Sequence, residues 1–345
     1  MDRIKVMVVN DSGYMTELLS DLIISNPMLE VSDRARDGVE ALRKLTKCRP
    51  DVILLDLEMP NMDGLTFLEK IMTTDPLPVI VVSSYSQRGA QIVFDSLEYG
   101  AVDFLPIPQD EPDKILNLKS RLLSKIRIAA RINPKPLTQP SLQKRPSVKV
   151  QSGTGGISSK TIIIGASTGG PRVLSHILSE LPSDLPAGLL VVQHMPSSFT
   201  PHYADHLNKV CKIVVKEARE GDKIKDGTAL LAPGDFHMLV KPSFNVRLSH
   251  GPKRLGVRPS VNMTMVTASE VYGSNTIGVL LSGIGHDGAF GMKMIKRRGG
   301  TTIAQDEDSS VVFGMAKAAC DLDAVDKVLP ADKIAQEIIR VMEHA

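Results

Sequence analysis

Residues 52–56 read Val-Ile-Leu-Leu-Asp, four apolar side chains running into an acid. A strand that is apolar at every position, without alternation, is covered on both faces, as in a parallel sheet between layers of helices. Working outward, similar short runs lie at Ile4–Val9, around Val31, at Val79–Val82 and at Val102–Leu105. Segments of helical periodicity separate them, for example Leu18, Leu19, Leu22 and Ile23. Strands alternating with helices specify βαβ crossovers and an α/β domain with a parallel sheet. This rhythm ends near Arg131.

The next stretch, residues 133–160, is NPKPLTQPSLQKRPSVKVQSGTGGISSK, with four prolines and few apolar side chains. Such a segment cannot bury enough surface to fold and reads as a flexible linker. The α/β rhythm resumes at Thr161, with strands expected at Thr161–Gly165, Leu189–Gln193, Thr276–Leu281 and Thr301–Ala304. Shorter runs at Thr228–Leu231, Met238–Val240 and Val246–Leu248 suggest an antiparallel excursion. Helices are expected after Pro171, Ser260, Asp287, Phe313 and Asp332, with Asp332 as the N-cap of the last. The expected organisation is a domain over residues 1–131, a linker over 132–158 and a second domain over 159–345.

Composition bounds the function. A chain of 345 residues with 42% hydrophobic and 23% charged residues accommodates two globular domains. The net charge of +2 gives no concentrated basic face, and with no Trp and 4% aromatics there is little to stack on bases. Nucleic acid is therefore not an expected partner. The three cysteines, Cys48, Cys211 and Cys320, form no CxxC, which argues against a disulfide framework or zinc site and fits a reducing compartment. There is no secretory signal pattern and no apolar run of membrane-spanning length, so a cytoplasmic protein without membrane insertion is expected.

Two groups of residues carry chemistry. Ligands of open parallel sheets gather at the carboxyl ends of the strands. In the first domain Asn10, Asp11, Asp56 and Ser83 fall there. Two carboxylates at one sheet edge repel unless a cation lies between them, and Mg²⁺ suits such an oxygen site. Asp56 is then placed to act as a nucleophile toward phosphate. By spacing alone the same residues also suit helix caps and turns.

In the second domain the strand TIII leads into Gly165-Ala166-Ser167-Thr168-Gly169-Gly170-Pro171, a G-x-S-x-G turn that exposes a serine at a helix entry. Amides at that entry suit an oxyanion. A base and an orienting acid are needed to make the serine nucleophilic. His194 closes the next strand, and Ser282-Gly283-Ile284-Gly285-His286-Asp287-Gly288 follows a later one. Both His194 and His286 remain candidates for the base, with Asp287 as the acid. No complete dinucleotide or nucleoside-triphosphate loop accompanies the glycines.

The stretches VVNDSGYM, DVILLDLEMPNMDGLTFLEKI, VIVVSSYS and YGAVDFL resemble response-regulator receiver domains. The resemblance implies a flavodoxin-like (βα)5 fold. It also implies phosphorylation on Asp56, Mg²⁺ held by Asp11, Asp56 and the Glu58 carbonyl, and Ser83 as the hydroxyl that responds to phosphate. Two positions depart from it: Asn10 stands where a second acid is usual, and Ile107 where a lysine is usual. A receiver that docks without phosphate control is the alternative.

From about Lys160 onward, IIIGASTGGP, VVQHMPSSFT, EAREGDKIKDGTALLAPGDFHM, RPSVN, GVLLSGIGHDGAFGMK and AQDEDSSVVFGM are similar to the catalytic domain of chemotaxis protein-glutamate methylesterases. This implies a doubly wound, mostly parallel α/β esterase domain with a triad of Ser167, His194 and Asp287. Backbone amides at Thr168 and Gly285 would serve as oxyanion donors, and the esterase step would need no cofactor. The implied substrates are glutamyl γ-methyl esters, and selected glutamines, of methyl-accepting chemoreceptors. A chemotaxis histidine kinase is the implied phosphodonor, and the receiver is expected to cover the esterase mouth until phosphorylated. Ile284, Asn262 and Ala316 stand where methionine, aspartate and proline are usual; Arg172 and Arg258 are candidates to meet acidic receptor helices, with a solvated surface charge as the alternative. The alternatives are a receiver with a non-enzymatic binding output, for which no basic helix-turn-helix is evident, and an esterase for a different, smaller ester.

Overall fold

The apolar runs form strands and the periodic segments form the helices between them. The computed structural model describes residues 3–84, 87–107, 113–132, 134 and 156–344. The chain divides into two compact units, residues 1–143 and 144–345. That boundary, and most of the expected 132–158 linker, lies outside the described residues.

The first unit runs β1 (Ile4–Val9), α1 (Gly13–Ile24), β2 (Leu29–Ala35), α2 (Gly38–Leu45), β3 (Val52–Asp56), α3 (Gly64–Thr74), β4 (Val79–Ser84), α4 (Gln87–Glu98), β5 (Asp103–Ile107) and α5 (Asp113–Ala129). Its five strands are parallel in the order β2-β1-β3-β4-β5. Side chains of Ser12, Asp37 and Asp63 cap the first three helices, each accepting from an amide three residues on. The order reverses beside β1, so the ends of β1 and β3 border one crevice. Asp56 is the last residue of β3. Ser83 lies within β4, one residue further inside the sheet than the sequence suggested.

The second unit runs β6 (Thr161–Ala166), α6 (Gly170–Glu180), β7 (Gly188–Gln193), α7 (Thr200–Val210), β8 (Val214–Glu217), β9 (Thr228–Leu231), β10 (His237–Lys241), β11 (Asn245–Ser249), α8 (Val261–Tyr272), β12 (Thr276–Leu280), α9 (Ala289–Arg297), β13 (Thr301–Gln305), α10 (Met315–Asp321), β14 (Lys327–Leu329) and α11 (Ala331–His344). Seven strands form one parallel sheet, β14-β13-β12-β6-β7-β9-β8. The antiparallel excursion is a single hairpin, β10–β11, whereas β9 joins the main sheet in parallel. Edge strands β8 and β14 and helix α7 were not visible in the sequence, because their apolar pattern is short and partly exposed. The last helix starts at Ala331, so Asp332 sits inside its first turn, not at its cap. At the start of this unit Ile157 bridges to Lys225, and buried Ser158 accepts from the Gly188 amide at 3.0 Å and donates to the Lys160 carbonyl.

Winding proceeds from β6 toward β7 on one side and resumes at β12 on the other. The reversal puts the carboxyl ends of β6, β7 and β12 next to one another, which is where a doubly wound sheet opens its crevice. Helix α8 packs across β6 and against α9. This close approach needs Gly165: a Cβ there would lie 2.4 Å from Val261 Cγ1. Gly165→Ala is expected to cost the second unit about 1–3 kcal/mol by overpacking a β-branched neighbour that has no free rotamer. Calorimetry should show one transition lowered and the transition of the first unit unchanged.

Candidate functional site

Ser167 follows β6, and His194 follows β7. Their preceding residues, Ala166 and Gln193, are register partners, and the His194 amide donates to the Ala166 carbonyl at 3.0 Å. The two side chains thus leave the same edge on adjacent strands. The turn after Ser167 is fixed from both sides. Its amide donates to the Ser282 carbonyl at 3.0 Å, and its carbonyl accepts from Gly170 N at 2.8 Å and Gln193 Nε2 at 2.9 Å. Gly169 takes a left-handed φ of 75° there, where a Cβ would meet Val311 at 2.4 Å.

Asp287 follows β12 and is buried. Its Oδ2 lies 3.0 Å from His194 Nε2 and accepts from the Val261 amide at 2.7 Å. Its Oδ1 accepts from Ser260 Oγ at 2.8 Å and from the Asn262 amide at 3.1 Å. The carboxylate therefore sits on the N-terminus of α8, where free amides and the helix dipole favour an anion. Burial pushes its carboxyl up. The hydrogen bond and charge of His194, with the Asn262 amide and Ser260, more than offset this and hold it below the ordinary carboxylate value. His286, the other candidate base, is exposed and makes no hydrogen bond to Asp287.

The loop after β12 lies against the serine. A Cβ on Gly283 would be 2.8 Å from Ser167 Cβ and 2.3 Å from Met315 Sδ. Ser282 Oγ donates to the Thr168 carbonyl at 2.8 Å and accepts from Val312 N at 3.0 Å, and Ser282 N donates to Gln305 Oε1 at 2.8 Å. Gly285, at φ 84°, keeps its amide free of acceptors among the described residues. Thr168 is buried at the first turn after the serine. A hydroxyl, an imidazole oriented by a stabilised carboxylate, and amides nearby can perform acyl transfer.

In the first unit Asn10 and Asp56 meet at the sheet edge, with Asn10 Nδ2 donating to Asp56 Oδ2 at 2.9 Å. The Glu58 amide donates to Asp56 Oδ1 at 3.1 Å. Desolvation by burial raises the Asp56 carboxyl to about 6; backbone amides oppose this, and the like charge of Asp11 adds to it. Asp11 is exposed, Ser83 is buried, and Ile107 is buried at the end of β5. Among the described residues no three His, Cys, Asp or Glu side chains cluster as a metal site. The expected set thus offers two carboxylates, Asp11 and Asp56, with Glu58 able to contribute through its carbonyl.

The profile of CheB methylesterase matches residues 162–338, and that of the response regulator receiver domain matches residues 6–118. The protein-glutamate methylesterase/protein-glutamine glutaminase of Pyrococcus abyssi is 44% identical, covering 99% of this chain and 94% of the relative. That of Archaeoglobus fulgidus is 41% identical, over 98% of each. The crystal structure of the Thermotoga maritima CheB methylesterase catalytic domain superposes with a TM-score of 0.52 and 44% identity, covering 54% of this chain and 100% of that one.

The chain belongs to the CheB methylesterase family. It carries the receiver and the mostly parallel α/β methylesterase domain of that family. Among the described residues no helix is long and apolar enough to cross a membrane. Asn262 Oδ1 accepts from the Gly291 amide at 2.7 Å. Ala316 is fully buried in α10, and Ile284 is partly exposed beside Gly285.

Sequence reasoning missed Ser260, Gln193, Gln305 and Ser282. The RPSVN motif and the helix start after Ser260 were visible. That this helix end meets Asp287 was not, because residue 260 reaches residue 287 only across the fold.

Ser260→Ala leaves Oδ1 of Asp287 with one donor fewer. A hydrogen bond to a charged group is worth about 1.5–3 kcal/mol, so kcat should fall roughly 10- to 100-fold with KM little changed; Ser260→Thr should restore most of it. In the first unit, the raised Asp56 carboxyl takes up a proton as pH falls through about 6, which NMR titration of its carboxyl carbon in metal-free buffer checks. The stability contribution follows from the same shift. The folded value lies above the unfolded one, so the contribution is full below the ordinary carboxylate value and is lost as pH rises through about 6. Melting of Asp56→Asn should lack that slope.

Proposed function

We propose that Ser167, His194 and Asp287 hydrolyse glutamyl γ-methyl esters on methyl-accepting chemoreceptors, releasing methanol, and deamidate selected receptor glutamines. The observation that carries this is the contact of His194 with Asp287 on the α8 N-terminus, beside the Ser167 turn. Asp287 takes the Nε2 side of the His194 ring, which leaves Nδ1 as the nitrogen to act as base on the serine. Ser167 Oγ then attacks the ester carbonyl as its proton passes to His194, and Asp287 stabilises the imidazolium. The amides of Thr168 and Gly285 receive the oxyanion. His194 returns the proton to the departing methoxide, water attacks the acyl-enzyme with His194 as base, and the glutamate carboxylate and Ser167 are regenerated. Among the described residues the Ser167 hydroxyl has no hydrogen bond in the resting site, so its alignment is completed with substrate.

In the receiver, Asp56 accepts phosphate from a chemotaxis histidine kinase, and Ser83 reads the modification. The residues present fit Mg²⁺: Asp11 and Asp56 form a like-charged pair whose repulsion a divalent cation would relieve, and Glu58, whose amide meets Asp56, could add its carbonyl. When bound, Mg²⁺ would neutralise charge on the phosphoryl oxygens. Asn10 holds Asp56 through its amide and leaves one carboxylate fewer for the metal. Ile107 adds no cation to the phosphoryl group, so the switch rests on Ser83 and Asn10. The protein works in the cytoplasm, where the receptor segments it modifies lie.

Methanol release from methylated chemoreceptors by the intact chain tests the reading. Ser167→Ala should lower it by about 10⁴-fold or more, with Asp287→Asn close behind. Equal release by parent and Ser167→Ala would remove Ser167 as nucleophile.

A further inference from the structure

Beside the residues that hold Asp287 a groove with a volume of about 920 Å³ runs between the loop before α8, one face of α8, the first turn of α9 and the C-terminal end of α10. Its inner end is formed by Ser260 and Asn262, which hold Asp287, and by His286. Drug-sized ligands fill roughly 300–1,000 Å³; one glutamyl methyl ester is a small part of that. The space suits several neighbouring side chains of a polypeptide.

The mouth of the groove is apolar and exposed. Leu255, Phe290 and Leu322 are 54%, 52% and 42% exposed and all line it. Leu255 is held at φ 52°, a left-handed backbone that a leucine rarely adopts, at the tip of a turn closed by the Arg254–Val257 bridge. The fold thus holds an apolar side chain in water at the edge of the crevice. Such a concentration of exposed apolar side chains marks an interaction site.

Charge selects the occupant. Lys253 and Arg254 line the same mouth, and neither has a carboxylate within ion-pair distance among the described residues. The acid of the lining, Asp321, is neutralised by Lys317 at 2.9 Å. The mouth is therefore apolar with uncompensated positive charge, complementary to a segment that presents apolar side chains flanked by carboxylates.

The geometry points to this groove as the docking surface for an amphipathic, acidic segment of the protein substrate, the stretch of chain that flanks the esterified side chain. This rests on the reading of Ser167, His194 and Asp287 as an esterase for protein-bound glutamyl esters. Leu255, Phe290 and Leu322 take the apolar face, and Lys253 and Arg254 pair with its carboxylates.

The test uses the intact chain with two double variants of exposed residues, Phe290→Ser with Leu322→Ser and Lys253→Gln with Arg254→Gln. Methanol release from methylated chemoreceptor is compared with hydrolysis of p-nitrophenyl acetate. Docking predicts that KM for the receptor rises about ten-fold or more in both variants, with kcat and the small-ester rate unchanged. It also predicts that the basic variant loses most of the salt dependence of that KM. An unchanged receptor KM overturns the proposal. So does a rise in both activities of the unphosphorylated apolar variant, which would make the receiver domain the occupant. If the parent chain cleaves p-nitrophenyl acetate but releases no methanol from receptors, the substrate reading itself fails, and the docking proposal with it.

Discussion

The carboxylate of Asp287 is the point on which the second domain turns. It is buried at a sheet edge, and an uncompensated buried carboxylate would neutralise itself by taking up a proton. Four donors prevent this: His194, Ser260 and the amides of Val261 and Asn262. Three of the four come from the start of α8, so the helix must lie across β6 with its N-terminus over the crevice. The small side of Gly165 under Val261 permits that position. A buried charge thereby ties the packing of a helix to the sheet edge, and the carboxylate that this helix holds contacts the His194 imidazole.

The receiver handles its buried carboxylate the other way. Asp56 has the Asn10 amide and backbone amides as partners, and Asp11 adds like charge. The balance leaves its carboxyl raised to about 6, opposite in direction to Asp287. One carboxylate is satisfied by its own fold and remains a fixed charge. The other is raised by burial and the like charge of Asp11, an environment that a cation would relieve.

A polar network joins the loops around the serine. Gln193, Ser282 and Gln305 are fully or nearly fully buried, and each bonds to a neighbouring strand end or loop. In a low-dielectric interior such bonds are costly to break. They hold the Ser167 turn, the Gly283 loop and the segment near Val312 in one arrangement.

The α/β class, the parallel core strands and the placing of Ser167, His194, Asp287, Asp11 and Asp56 at strand ends were legible in the sequence. Apolar runs such as VILLD and TIII, and the glycine-rich turns after them, are local patterns that announce local structure. The edge strands β8 and β14 and helix α7 were not legible, because partly exposed elements carry weak periodicity. Nor could spacing separate His194 from His286. The second is the chain neighbour of Asp287, but the first is its spatial neighbour. The contact of His194 with Asp287, a pairing that the family resemblance had implied, the grip of Ser260 on Asp287 and the groove beside it belong to tertiary structure. The reason is physical: each depends on strands and helices from distant parts of the chain meeting at the reversal between β6 and β12, and no local pattern encodes that meeting.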